Sequence, residues 1–265
     1  MSRTNSQPLL RRWRAPAPVN RNAWFPGRFV GGGALVAGPL VWWTGLLLRY
    51  LGLHSGAFSA EQLAAFSRQP FAAPSQLAAY LANPALVTAG YACFAAGALL
   101  LCPAFVTLAR FVAARAPILA CWGGTLVILG LFARLYDAGV DQAAFQLAAS
   151  QGLGRATDFV LGDYASISYG PWRVGVVASA CQYPGMLLLA IGAFRSGTFG
   201  TGRCLILLWA GTLWGGVLKA ANLPDLFEYG ALCLVLVPWG VQVLRDRVAE
   251  PGLDSNVRAL RILSW

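Results

Sequence analysis

Eight residues, Arg134-Leu-Tyr-Asp-Ala-Gly-Val-Asp141, carry an arginine, a tyrosine and two aspartates directly after APILACWGGTLVILGLFA, one of the most apolar runs in the chain. On a continuing helix Asp137 and Asp141 stand at i and i+4, on one face, with Cβ atoms about 6 Å apart. Two carboxyl groups that close in a poorly hydrated place share a proton more readily than they carry two charges. Such a pair can hold a proton and deliver it. Gly139, between them, weakens the helix by about 1 kcal/mol relative to alanine. A solvated helix end, with Arg134 paired to an aspartate, accounts for the same residues without any chemistry.

A second group lies in LKAANLPDLFEYG, residues 218–230, with Lys219 (the only lysine), Asn222, Asp225 and Glu228. Asp225 follows Pro224 and is expected to open a helix, where free backbone N–H groups favour a carboxylate. Glu228, three residues on, lies near the same face. A helix cap beside a lysine that snorkels to the interface is the plainer account. An ionisable group within an apolar segment is nonetheless a candidate functional group. The candidate acids are therefore Asp137, Asp141, Asp225 and Glu228.

Aromatic residues are abundant, and many suit the belts at a membrane interface. Trp42, Trp43, Trp209 and Trp214 instead fall inside apolar segments, where their faces would stabilise a cation. Arg173, in SISYGPWRVG, and Arg49 suit an anionic or carbonyl-bearing group, or lipid headgroups. The candidate binding residues are Arg134, Tyr136, Trp43, Trp214, Lys219 and Arg173. No metal or cofactor is expected. The six cysteines sit in apolar segments without a CxxC pair, and His54 is the only histidine. They read as small packing residues rather than zinc ligands. Walker, HExxH, GxSxG and DDxxD patterns are missing, and the lack of DDxxD argues against metal–diphosphate chemistry.

These residues must be positioned by membrane helices. Of 265 residues, 57% are hydrophobic and 11% charged, against about 25% charged in a soluble domain. Six apolar segments approach the roughly 20 residues that span a bilayer: Phe29–Leu53, Pro84–Phe111, Pro117–Arg134, Trp172–Phe194, Cys204–Ala221 and Leu226–Leu244. The expected fold is an all-α bundle of about six transmembrane helices over 29–244, with a basic, Pro-rich cytoplasmic tail at 1–28 and a cytoplasmic tail at 245–265. The net charge of +10 is spread between apolar segments and over the termini. That distribution suits membrane orientation, not nucleic acid, and puts both termini in the cytoplasm of a cell membrane. The long connections 54–83 and 135–171 hold short amphipathic pieces expected to roof the bundle on the other side. Arginine in place of lysine, with much Ala and Gly, points to a GC-rich bacterial source.

The size, the short-looped helices and the scattered membrane acids in place of DDxxD resemble the small integral-membrane terpene cyclases of meroterpenoid and drimentine-type pathways. The resemblance covers most of the chain, in architecture. It implies a metal-independent enzyme that protonates and cyclises a farnesyl-type isoprenyl chain. Asp137 or Asp141 and Asp225 or Glu228 would then be the acids. The implied partners are the lipid bilayer, an isoprenoid small molecule and a pathway prenyltransferase. The other class open to the sequence is non-enzymatic: a small transporter, a permease subunit or an immunity protein. In that case Arg134–Asp137 and Lys219–Asp225 are structural pairs or a proton relay. No inverted repeat supports a transporter.

Overall fold

The computed structural model describes residues 25–171, 173–211 and 216–248, and among these every regular element is helical. The long helices are α1 (Gly27–His54), α4 (Pro84–Ala113), α5 (Pro117–Gln151), the pair α8 (Val174–Ala180) and α9 (Gln182–Ser196), and α11 (Leu223–Leu244). Counting Val174–Ser196 as one, five helices are long and apolar enough to cross a membrane. Between them lie α2 (Ala60–Ser67), α3 (Ala73–Ala82), α6 (Leu153–Asp158), a π-helical turn (Phe159–Tyr164), α7 (Ala165–Tyr169) and α10 (Thr201–Ala210). The tails expected at 1–28 and 245–265 lie mostly outside the described residues.

Local sequence sets the helix starts. Pro84 and Pro117 occupy first-turn positions, where their missing N–H costs nothing. Asn83 caps α4 by accepting from Leu86 N–H at 3.1 Å. Ser59 and Gln62 close a capping box on α2. Asp225 accepts from the Asn222 N–H at 3.1 Å and completes the box at the start of α11, as its position after Pro224 suggests.

Small residues let the long helices touch. A Cβ on Gly97 of α4 would lie 2.6 Å from the backbone of Trp42 on α1, and one on Gly185 of α9 would lie 2.7 Å from the Val127 nitrogen on α5. Lipid tails are as apolar as leucine, so close packing of this kind is what holds membrane helices together. The main core follows these contacts and buries Leu35, Trp42, Leu101, Leu108, Leu189, Leu207 and Leu236. A second cluster, with Leu77, Tyr80, Tyr91, Phe145, Val160 and Leu218, sits at the other end under α3 and α6.

Two expectations are revised. The third segment does not end at Arg134, because α5 runs on to Gln151. Gly139 is tolerated because Arg134, Asp137, Asp141, Ala144, Phe145 and Ala148 form a buried stripe at three- and four-residue spacing. Among the described residues, the fifth segment, Cys204–Ala221, shows no membrane-length helix. Thr201–Ala210 is helical, and 216–222 is irregular. Gly211 and Gly216 disfavour helix at the two ends of the gap.

Candidate functional site

The buried charged and amide side chains gather at one end of the bundle. Arg49, Gln76, Arg134, Asp137, Asp141, Gln182 and Glu228 are all buried, and they come from α1, α3, α5, α9 and α11. Asp137 and Asp141 both turn inward, one helical turn apart, as the i, i+4 spacing requires.

Asp141 is tied to the irregular segment before α11. Its Oδ1 accepts from the Leu218 N–H at 2.6 Å. Leu218 is wholly buried and has φ +49, an uncommon conformation for a non-glycine residue. The next carbonyl, that of Lys219, accepts from Arg49 Nη2. Two buried charged side chains on different helices thus hold consecutive backbone groups of one non-helical stretch. This is how irregular backbone is tolerated within a membrane bundle. The Arg49 guanidinium also stacks over the rings of Tyr91, at 4.1 Å, and Phe94, at 5.0 Å. It donates to the Tyr91 hydroxyl at 3.2 Å, which in turn donates to Gln76 Oε1 at 3.1 Å.

Asp137 is held far more loosely. Tyr164, on the π-helical turn, donates to its Oδ1 at a long 3.5 Å, and Oδ2 is buried with no hydrogen-bond partner among the described residues. Arg134, one turn earlier, donates to Gln182 Oε1 at 3.3 Å and also acts electrostatically on Asp137. Burial pushes the Tyr164 hydroxyl up to about 12, partly offset by a hydrogen bond with Ser168. That phenol therefore stays protonated at any physiological pH.

Lys219 links the two sequence groups. It interacts electrostatically with Asp225, Arg134, Arg49 and Glu228. The structure therefore brings Arg134, Asp137, Asp141, Lys219 and Glu228 to one end, with Asp225 half-buried at its edge. Trp43 is half-buried and donates to the Leu226 carbonyl at 3.0 Å, pinning α1 to the first turn of α11. Tyr136 is half exposed, on the flank of α5 beside Gly175. Arg173 is exposed and donates to the Tyr169 and Gly170 carbonyls, closing the turn before α8. Trp214 lies outside the described residues.

Gln76, Tyr91 and Gln182 were not singled out by sequence reasoning. Gln76 sits in the amphipathic piece SQLAAY, and Tyr91 and Gln182 in apolar helices. A buried polar side chain on an apolar face is the one signal they carry. No metal-binding cluster of His, Cys, Asp and Glu occurs among the described residues.

The fold and this interior define an all-helical membrane protein with a buried polar end. No family model, curated protein or solved structure matches the chain.

Proposed function

We propose that this protein is a membrane-embedded, metal-independent terpene cyclase in which Asp137 protonates an isoprenyl chain. One observation carries the reading. Asp137 is only 6% exposed, and its buried Oδ2 has no hydrogen-bond partner among the described residues. A buried carboxyl oxygen left unpaired is costly, and such strain concentrates at functional sites. In the proposed step the Oδ2–H bond breaks and the proton joins a terminal alkene carbon or an epoxide oxygen. The substrate's own π electrons then close the rings through carbocations. Loss of a proton from carbon to the Asp137 carboxylate ends the reaction, so nothing is oxidised or reduced. Arg134 stabilises the carboxylate while the proton is away. Asp141, committed to Leu218, positions the roof of the site. The architectural resemblance to membrane terpene cyclases supports the same reading, and with it a farnesyl-type substrate in secondary metabolism.

The proposal includes a sixth crossing, made by Thr201–Ala210 and the irregular stretch after it. Arg115 reaches the Ser196 carbonyl at 3.2 Å and Arg28 pairs with Asp246 at 3.4 Å. These contacts support gathering the basic residues at one end, while Leu218 and Lys219 meet Asp141 and Arg49 at the other. Both termini would then be cytoplasmic.

The test incubates membranes carrying the protein with farnesylated indoles and phenols and resolves products by mass spectrometry and NMR. Wild type should yield cyclised isomers of unchanged mass, and Asp137→Asn should insert normally but lose about a thousandfold or more in rate, the order expected for removing an essential proton donor. No cyclised product from any of several prenylated substrates would overturn the reading. A second reading is favoured by the irregular segment 216–222, since broken helices line the sites of many transporters. Asp137-dependent proton flux into proteoliposomes, without product, would select it.

A further inference from the structure

The hydrogen-bonded chain Gln76–Tyr91–Arg49 ends in unused donors on both sides. Arg49 Nε and Gln76 Nε2 are buried, and neither has an acceptor among the described residues. Each head group lies one hydrogen bond from the same hydroxyl: Arg49 Nη2 donates to Tyr91 OH at 3.2 Å, and Tyr91 OH donates to Gln76 Oε1 at 3.1 Å. The two idle donors therefore sit on head groups joined through a single phenol oxygen. Both side chains are more than nine-tenths buried, at 4% exposed for Arg49 and 1% for Gln76. They are also built in place. The guanidinium is stacked on two aromatic rings and anchored to the Lys219 carbonyl. A buried donor without an acceptor is costly, and a ligand that supplies one recovers that cost on binding.

The charge around the donors selects the ligand. Arg49 already has Asp141 as an electrostatic neighbour, and Gln76 is neutral. An added anion would find little uncompensated positive charge. A neutral oxygen needs only the hydrogen bonds. The surrounding surface is apolar, with Phe94 beneath the guanidinium and Leu77 and Phe145 in the adjoining cluster. We propose that Arg49 and Gln76 bind a neutral hydrogen-bond-accepting oxygen, a ketone or ester carbonyl, on the head of an apolar chain ligand. That this ligand is the isoprenyl substrate rests on the cyclase reading. The donor pair itself rests on the geometry alone.

The experiment compares two probes on full-length protein in lipid nanodiscs: farnesylacetone, and the hydrocarbon in which a methylene replaces its carbonyl. Binding is measured by titration calorimetry. Wild type should prefer the ketone by about tenfold or more, the worth of one to two hydrogen bonds in a buried site. Gln76→Glu keeps an acceptor for the Tyr91 hydroxyl but removes both Nε2 protons. It should lower the ketone-to-hydrocarbon ratio several-fold, since the Arg49 donor remains. If that variant does not fold, Gln76→Met removes the same protons without adding charge, and the same fall is expected. Equal affinities in wild type would overturn the proposal and assign the two donors to water. A ketone preference of undiminished size after loss of the Gln76 amide would overturn it as well. All measurements are repeated in Asp137→Asn, which needs no turnover. Selective ketone binding in this variant, together with no cyclised product from wild type, would keep this site and discard the cyclase.

Discussion

The body of the bundle and its acid-bearing end solve the same packing problem in opposite ways. In the body, backbones come together through glycine, as Gly97 does against Trp42 and Gly185 against Val127. Almost nothing polar is buried there apart from Thr107 and Ser196, each bonded to its own helix. At the other end, buried charges do the joining. Arg49 and Asp141 reach across to backbone groups of 218–219, and Arg134 reaches Gln182. Close packing in lipid is tolerant of sequence as long as the residues stay small. Buried charge is not, because each partner removed leaves another exposed to a medium that cannot solvate it. The body can therefore drift within narrow limits of size, whereas the polar end is fixed atom by atom. That is the arrangement expected when function resides in the costly region.

The largest break in this contrast should come from size. Gly97→Leu places a side chain where a Cβ already falls 2.6 Å from backbone, and should cost about 3 kcal/mol or more, beyond the usual overpacking range. Loss of the folded fraction in mixed micelles, followed by near-ultraviolet circular dichroism, reads it. Chemistry should matter next. Asp141→Ala leaves the buried Leu218 N–H without its acceptor and should cost about 2 kcal/mol, while Asp141→Asn keeps an oxygen and should cost less than half as much. Equal losses would mean that Asp141 acts by charge alone.

The smallest effect is expected at Gly139, exposed on α5 with open space around it. Gly139→Ala should stabilise by up to about 1 kcal/mol, and a loss would show that the helix needs its give between the two aspartates.

Much of this was legible beforehand, for identifiable reasons. The inward turn of Asp137 and Asp141 follows from spacing, since Ala144, Phe145 and Ala148 extend the same stripe. The cap by Asp225 follows from Pro224 beside it. The break after Ala210 was written in its glycines, yet the hydropathy of 204–221 concealed it. What no local pattern could supply were partners made of backbone. Asp141 binds the N–H of a residue 77 positions away, whose side chain is irrelevant to the bond. Gln76 and Tyr91 lie fifteen residues apart on separate helices, and become a pair only once α3 folds over the bundle.

The length of α5 has a consequence for where protons can travel. From Pro117 to Asp137 a helix rises about 30 Å, which is one hydrocarbon thickness. In a bilayer that begins at Pro117, the remaining turns to Gln151 would stand clear of it, carrying α6 and the π-helical turn with Tyr164. Asp137 would then sit at the far edge, set there by a rigid rod rather than by a loop. A thinner bilayer would raise the carboxyl into the headgroups and hydrate it, and a thicker one would draw it under. In the proposed cyclase the surrounding lipid would thereby tune the acid through depth, without touching a side chain.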